Sequence, residues 1–479
     1  MSSQVHGTKI GTRLLDALGH APTAGQERAA MALERLLRTT KERTALVLKG
    51  YAGTGKTTLV GALVKVLSAE RRPVVLLAPT GRAAKVLSAY AGRLASTIHR
   101  RIYRAANEDD GYFGMQVAPH RDQGALFIVD EASMIGRSGA GDGPFGGRDL
   151  MSDLFEHIFA VPGTRVLLIG DPAQLPPVGS DHSPALEPKE LQAFGVVAGM
   201  VELTDVVRQA SGSGILTNAT DLRTILAHEE PRILFRQGFD DVIRTDGYDL
   251  QDALETAYAQ DGDDEVCLIC RSNKRAYQYS QQVRARIHGY EEELCSGDRL
   301  MVVKNNYFWA GQNGKAELIA NGEQFVVNRV HGVEERYGMR FADITARWWN
   351  GVEERELEVK VLLDVLSIDA PALPGPRLKL LHESIFNSYP ETTKAARMKR
   401  LREDPYAQAL QVKYAYAVTA HKAQGGQWNT VFVDQGYVTE EMIDKEYVRW
   451  LYTAITRAGR RLYLLNFHPR FWGDDGVTD

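Results

Sequence analysis

Residues Gly50-Tyr51-Ala52-Gly53-Thr54-Gly55-Lys56-Thr57 stand between the apolar run Thr44 to Leu48 and a stretch with apolar residues at Leu59, Val60, Leu63, Val64 and Leu67. A buried strand, a glycine-rich turn and a helix in direct succession match the GxxxxGK[ST] loop in the context that gives the pattern its meaning. The element order commits the chain to an α/β fold built on a parallel sheet. Glycines let backbone N–H groups turn inward onto phosphates. Lys56 can reach the β and γ oxygens, and Thr57, followed by Thr58, offers its hydroxyl to Mg²⁺.

The rest of the chain repeats the α/β pattern. Short apolar runs at Ala45 to Leu48, Val74 to Leu77, Leu126 to Val129 and Val166 to Ile169 each end in a polar loop. After about residue 260 the pattern restarts with Val266 to Ile269, Tyr414 to Val418, Thr430 to Val433 and Arg461 to Leu465, which implies a second α/β layer. Between them, roughly residues 298 to 409 have another texture. Gly297-Asp298, Asn313-Gly314 and Asn321-Gly322 turns separate β-rich runs such as Gln324 to Val330 and Leu357 to Leu366, which predicts a small inserted β barrel. At 479 residues, several cores are expected.

With 57 basic against 61 acidic residues and a net charge of −4, no global field draws the chain to polyanions, so any such site must be local. One candidate is Lys394 to Arg402, with Lys394, Arg397, Lys399, Arg400 and Arg402 on a predicted helix: a solvated face or a set of phosphate contacts. The three cysteines form no disulfide framework. Cys267 and Cys270 lie in an apolar run and read as buried strand thiols, consistent with a reducing cytoplasm. The start, Met1 to Gly11, has no apolar core of a signal sequence, and no stretch is apolar for the ~18 residues a span requires. A cytoplasmic protein is expected. The glycine-rich stretch Gly136 to Gly147 reads as a mobile loop.

Further chemistry clusters at strand ends. The run Leu126 to Val129 leads into Asp130-Glu131, a carboxylate pair at the edge where parallel sheets bind ligands. Asp130 is assigned to Mg²⁺ and Glu131 to the general base that handles the attacking water. The next run ends in Gly170-Asp171-Pro172-Ala173-Gln174-Leu175-Pro176-Pro177, whose proline-stiffened glutamine is suited to sensing a γ-phosphate.

Taken in order, GYAGTGKTT, APTGRAAKVLS (78 to 88), STIHR (96 to 100), IVDEASM (128 to 134), GDPAQLPPV (170 to 178), VVRQ (206 to 209), AYAVTAHKAQGGQW (415 to 428) and LYTAITRA (451 to 458) closely resemble superfamily 1 DNA helicases of the RecD and Dda branch. The resemblance runs from Gln26 to Arg457. It implies two RecA-like P-loop domains, the first with a β-hairpin insertion and the second with an SH3-like β-barrel insertion. The boundaries expected are 1–102 with 123–215 for the first domain, 103–122 for its hairpin, 216–297 with 410–479 for the second domain, and 298–409 for the barrel.

The resemblance also implies roles. Gln26 becomes the adenine reader, Gln174 the γ-phosphate sensor, Arg208 and Arg457 arginine fingers, and Gln424 with Gly425 nucleotide-facing residues. A phosphoryl transition state spreads charge that planar guanidinium groups can meet. ATP is expected to bind between the two RecA-like domains. Single-strand contacts are implied for Pro79, Thr80, Thr97 and His99, for Thr419, His421 and Lys422, and for Asn305 and Asn306, ahead of Tyr307. Either histidine also fits a buried structural role.

About 30 residues separate His99 from Asp130, room for a β hairpin at about 103 to 122 but not for a large helical insertion. This resembles the separation pin of the 5′-to-3′ branch, with Tyr112 and Phe113 as candidates to stack on the last base pair or simply to pack the hairpin. Trp428 and Trp450 depart from the family pattern. The expected function is an ATP- and Mg²⁺-dependent helicase that translocates 5′ to 3′ on single-stranded DNA and opens forked duplex. The alternative is a DNA-stimulated P-loop ATPase that acts as a switch or subunit without unwinding.

Overall fold

A computed structural model describes residues 10–105, 115–137, 149–207, 212–228, 232–311, 318–349, 353–390 and 393–473. It divides into two compact units. The first comprises Met1–Pro79, Ala83–Phe239 and Ile443–Thr456, and the second Thr80–Arg82, Asp240–Met442 and Arg457–Asp479.

The first unit is built on β1 (Thr44–Gly50), β2 (Val74–Ala78), β3 (Ser96–Thr97), β4 (Tyr103–Ala105), β5 (Met115–Val117), β6 (Leu126–Val129), β7 (Arg165–Gly170) and β8 (Val197–Leu203). Six of these form one sheet in the order β3-β2-β6-β7-β1-β8, every neighbouring pair parallel. Alternation along each strand explains the continuous apolar runs. Leu46, Leu48, Leu126 and Ile128 enter one core with Leu33, Leu63 and Leu87. Their neighbours Ala45, Val47, Phe127 and Val129 enter the core on the opposite face with Ile98, Leu154 and Phe155. Strands buried on both faces have no polar side, so the apolar runs mark them directly. β4 and β5 pair antiparallel as a separate two-stranded ribbon, Tyr103 opposite Val117.

The second unit holds β9 (Val242–Thr245), β10 (Val266–Cys270), β11 (Arg299–Val302), β12 (Gln324–Arg336), β13 (Met339–Trp349), β14 (Glu354–Leu362), β15 (Leu410–Tyr414), β16 (Ala417–Thr419), β17 (Trp428–Asp434) and β18 (Ala458–Leu465). A parallel sheet runs β16-β10-β17-β18-β9, and β11 to β15 close into a barrel. The run Tyr414 to Val418, read from sequence as one sheet strand, divides. β15 closes the barrel against β11, and after Ala415 and Tyr416 the chain starts β16 beside β10. Likewise the β-rich run Leu357 to Leu366 stays extended only to Leu362 and then turns into the helix Asp364–Ser367. Apolarity identifies burial but does not distinguish the sheet from the barrel, or a strand end from a buried helical turn.

One hydrophobic core serves both parts of this unit: Leu268 and Phe432 of the sheet belong to the same buried cluster as Val302, Phe325, Ala346 and Val359 of the barrel. A buried ion pair fixes the entry to β11. Arg284 Nε and an Nη donate to Asp298 at 2.7 and 2.9 Å, and Asp298 also accepts from Cys295 N and the Tyr416 hydroxyl. Cys267 and Cys270 are buried free thiols in β10. Among the described residues no helix is long and apolar enough to cross a membrane.

Candidate nucleotide site and strand-contact residues

The P-loop leaves the C-terminal edge of β1 and enters the helix Lys56–Ala69. Gly53 and Gly55 adopt φ of +73° and +81°, the left-handed region that glycine reaches without cost. A Cβ at Gly55 would come within 2.5 Å of Gln26 Nε2. Gln26 is fully buried and its position is fixed by a capping box. Its Oε1 accepts from Thr23 N at 3.0 Å while its own N–H donates to Thr23 Oγ1 at 3.2 Å. The amide Nε2 is left without a hydrogen-bond partner among the described residues, beside the loop. A buried donor in that state costs free energy unless a ligand takes it.

Lys56 Nζ donates to Gly50 O at 2.7 Å and Tyr51 O at 2.9 Å, so the ammonium is held within the loop. Thr54 is buried and caps Tyr51 O at 2.8 Å, whereas Thr57 and Thr58 are exposed. The N–H of Val207 donates to Gly53 O at 3.0 Å, which ties the residue before Arg208 to the loop. Arg208 itself lies outside the described residues, as do Tyr112, Phe113 and most of the glycine-rich stretch after Gly136.

Asp130 and Glu131 follow β6. Asp130 Oδ1 accepts from Glu131 N at 2.9 Å and Oδ2 accepts from the Tyr90 hydroxyl. Glu131 has φ of +51°, a left-handed conformation that is strained for a residue with a side chain and is typical of functional turns. After β7, Asp171 and Gln174 are 1% and 3% exposed. Gln174 Oε1 has no hydrogen-bond partner among the described residues, so a ligand could engage it.

Sequence reasoning missed what holds this loop. The helix Lys445–Ile455, part of the first unit, sends Arg449 onto Pro172 O and Gln174 O, Thr453 Oγ1 under Leu175 N at 2.8 Å, and the Tyr452 hydroxyl onto Asp171 Oδ2 at 2.7 Å. The same Tyr452 hydroxyl accepts from Ala52 N of the P-loop at 2.9 Å. The only sequence signal was that Tyr452 falls inside the LYTAITRA run.

Hard oxygen donors suit Mg²⁺, and the Thr57 hydroxyl and Asp130 carboxylate are of that kind. Among the described residues no group of three or more His, Cys, Asp or Glu is arranged to hold a metal, so a metal here would depend on oxygens from a bound nucleotide as well.

The second unit brings Gln424, Gly425 and Arg457 together. Gln424 is 3% exposed, Gly425 has φ of +70°, and Arg457 donates to Gly426 O at 3.2 Å while its own carbonyl accepts from Trp428 N. Trp428 lies under Arg82, whose guanidinium carbon is 3.9 Å from the ring centroid. Thr419 ends β16, and His421 and Lys422 are half-buried on the short helix Ala420–Ala423. Burial, then the neighbouring charge of Lys413, pushes the Lys422 ammonium down to about 7. Lys422 Nζ has no hydrogen-bond partner among the described residues.

Of the other residues expected at a strand, Pro79 and Thr80 are half-buried after β2. Thr97 is buried, and its Oγ1 accepts from Arg100 N at 3.2 Å as a helix cap. Burial pushes the His99 imidazole down to about 4. Asn305 and Asn306 are engaged within the barrel domain. Asn305 Oδ1 accepts from Asn321 N at 2.7 Å, and Asn306 bridges Gln408 O to the N–H groups of Phe308 and Trp309. The Asn306 side chain holds the turn at Phe308 and Trp309 and that of Asn305 ties this segment to Asn321, roles the sequence did not distinguish from ligand contact.

Two family models match the chain in order: an AAA domain over residues 23–230 and a UvrD-like helicase C-terminal domain over residues 414–465. The ATP-dependent RecD2 DNA helicase of Deinococcus radiodurans is 36% identical over 177 residues, covering 37% of this chain and 21% of that protein. The chain thus matches about a fifth of that relative's length. The ATP-dependent DNA helicase Dda of phage T4 is 24% identical over 445 residues, covering 86% of this chain and 92% of that one. Among solved structures, one of Pif1 helicases at forked duplex DNA aligns over 95% of this chain and 94% of its own at 16% identity, with a TM-score of 0.46. A Bacteroides Pif1 bound to ADP-AlF3 and single-stranded DNA aligns over 92% and 93% at 15% identity, with a TM-score of 0.42. Both family models, in this order along one chain, and the two named relatives make the chain similar to superfamily 1 helicases of the RecD and Dda kind.

Proposed function

We propose that the chain is an ATP-dependent DNA helicase that translocates 5′ to 3′ on single-stranded DNA and opens forked duplex. The observation that carries the ATP half of this reading is the P-loop with the unsatisfied, buried Gln26 amide beside it. The relatives' names as ATP-dependent DNA helicases support the DNA half. In this reading the two parallel-sheet units are RecA-like, β4 with β5 is the base of a strand-separating pin carrying Tyr112 and Phe113, and the β11–β15 barrel is an SH3-like insertion.

Lys56 meets the β and γ oxygens, Gln26 reads the adenine with Gln424 and Gly425 near the nucleotide, and Gln174 senses the γ-phosphate. Glu131 takes the proton of the attacking water, and Arg208 and Arg457 stabilise charge on the transferring group. Thr57 and Asp130 would hold Mg²⁺, which neutralises phosphate charge when bound. Pro79, Thr80, Thr97, His99, Thr419, His421 and Lys422 contact the strand. Asn305 and Asn306 are assigned to the strand as well, although the Asn306 side chain and backbone are already paired within the barrel.

Strand displacement with 5′-tailed and 3′-tailed duplexes tests this. Unwinding from 5′ tails alone is expected. Unwinding only from 3′ tails would reverse the polarity, and DNA-stimulated hydrolysis with no unwinding from either would favour the switch.

A further inference from the structure

We propose that Tyr452 is a positioning residue of the ATP site, linking the P-loop to the loop that carries Gln174; the proposal rests on the ATP reading above. One hydroxyl makes both bonds. It accepts the Ala52 N–H at 2.9 Å and donates its proton to Asp171 Oδ2 at 2.7 Å. Donation to a buried carboxylate polarises the hydroxyl and strengthens it as an acceptor, so the two bonds reinforce each other. Water does not compete, because Tyr452 is 0% and Asp171 1% exposed.

Asp171 passes the constraint on. Its other oxygen accepts from Ala173 N at 2.9 Å, one residue before Gln174. Arg449 and Thr453, three residues before and one after Tyr452, fix the same loop at Pro172 O, Gln174 O and Leu175 N. One helix face therefore sets where the Gln174 amide stands relative to Ala52. An amide misplaced by about 1 Å loses much of its value in a transition state. The helix is followed within two residues by Arg457, so the segment that orders the γ-phosphate sensor also leads into a proposed arginine finger.

Replacing Tyr452 by Phe keeps the ring and removes both bonds. Steady-state ATPase with saturating oligo-dT should show kcat lowered by about tenfold or more with KM for ATP changed less than about threefold, the pattern of an interaction felt in the transition state. Asp171→Asn attacks the same link from its other end, so a folding failure of one variant leaves the other informative. The double variant should be no worse than the poorer single, since both break one network. A Tyr452→Phe kcat within about twofold of wild type, or losses that multiply in the double variant, would overturn the proposal. A Lys56→Ala control that hydrolyses ATP as wild type does would instead overturn the ATP reading itself, and this proposal with it.

Discussion

The hydroxyl of Tyr90 donates to Asp130 Oδ2, joining the last turn of the helix Gly81–Ala91 to the carboxylate assigned to Mg²⁺. Gly61 permits it, because a Cβ there would stand 2.9 Å from Tyr90 O and push the two helices apart. Burial and the Asp130 charge raise the Tyr90 phenol far above its ordinary range, so it stays protonated and keeps the proton it donates to Asp130. Tyr90→Phe should free Asp130 to rotate and raise the Mg²⁺ concentration for half-maximal ATPase about three- to tenfold. Calorimetric binding of a non-hydrolysable ATP analogue at graded Mg²⁺ should move in parallel; an unchanged Mg²⁺ dependence would separate Tyr90 from the metal site.

Lys56→Ala removes the ammonium that Gly50 O and Tyr51 O hold ready. ATP hydrolysis and unwinding should fall to background while single-strand binding persists, measured by fluorescence anisotropy of a labelled oligonucleotide. Residual unwinding would contradict the assignment of this loop.

Gln26→Ala should raise KM for ATP about three- to tenfold and leave kcat within about twofold, because the lost contact is made equally in the ground and transition states. Comparison with GTP is decisive. If both nucleotides weaken equally, Gln26 supports the loop and does not read the base.

Lys422 has its folded pKa lowered to about 7, so near neutrality much of the free protein carries it uncharged. A phosphate favours the charged form, so binding takes up a proton and should weaken as pH rises from about 7 to about 9, by a few-fold. Lys422→Arg stays charged and should flatten that dependence. A wild-type affinity that is already flat would remove Lys422 from the interface.

His157, whose Nδ1–H donates to Ala118 O at 2.7 Å, is pushed down to about 4, chiefly by burial. Its folded pKa lies below the ordinary 6.5, so between those values the unfolded chain binds a proton that the native protein refuses, and stability falls as pH drops from 6.5 towards 4. His157→Asn keeps a donor near the Nδ1 position and removes the titration. Its thermal midpoint should decline less steeply between pH 6.5 and pH 5, by about 2–4 °C.

Local sequence was sufficient for the parts of this protein that are local. The loop Gly50 to Thr57, the pair Asp130-Glu131 and the core strands β1, β2, β6 and β7 depend on spacing and apolarity over a few residues, and they stand where those patterns place them. Tyr90 and Tyr452 were not legible because their roles arise from partners 40, 281 and 400 residues away. Asn306 shows the converse. A polar side chain in a family motif was readable as a ligand contact, but three backbone partners show what it holds within the barrel domain.

The single core beneath the sheet and barrel of the second unit bears on how that unit comes apart. β11 and β15 are hydrogen-bonded neighbours, so the chain enters and leaves the barrel at one place, and the barrel looks detachable on a topology diagram. Yet Val302 and Phe325 bury the same apolar surface as Leu268 and Phe432. Opening the barrel would wet the sheet. Amide protons of β12, β13, β10 and β17 should therefore exchange with solvent deuterium at one common rate, as a single cooperative unit.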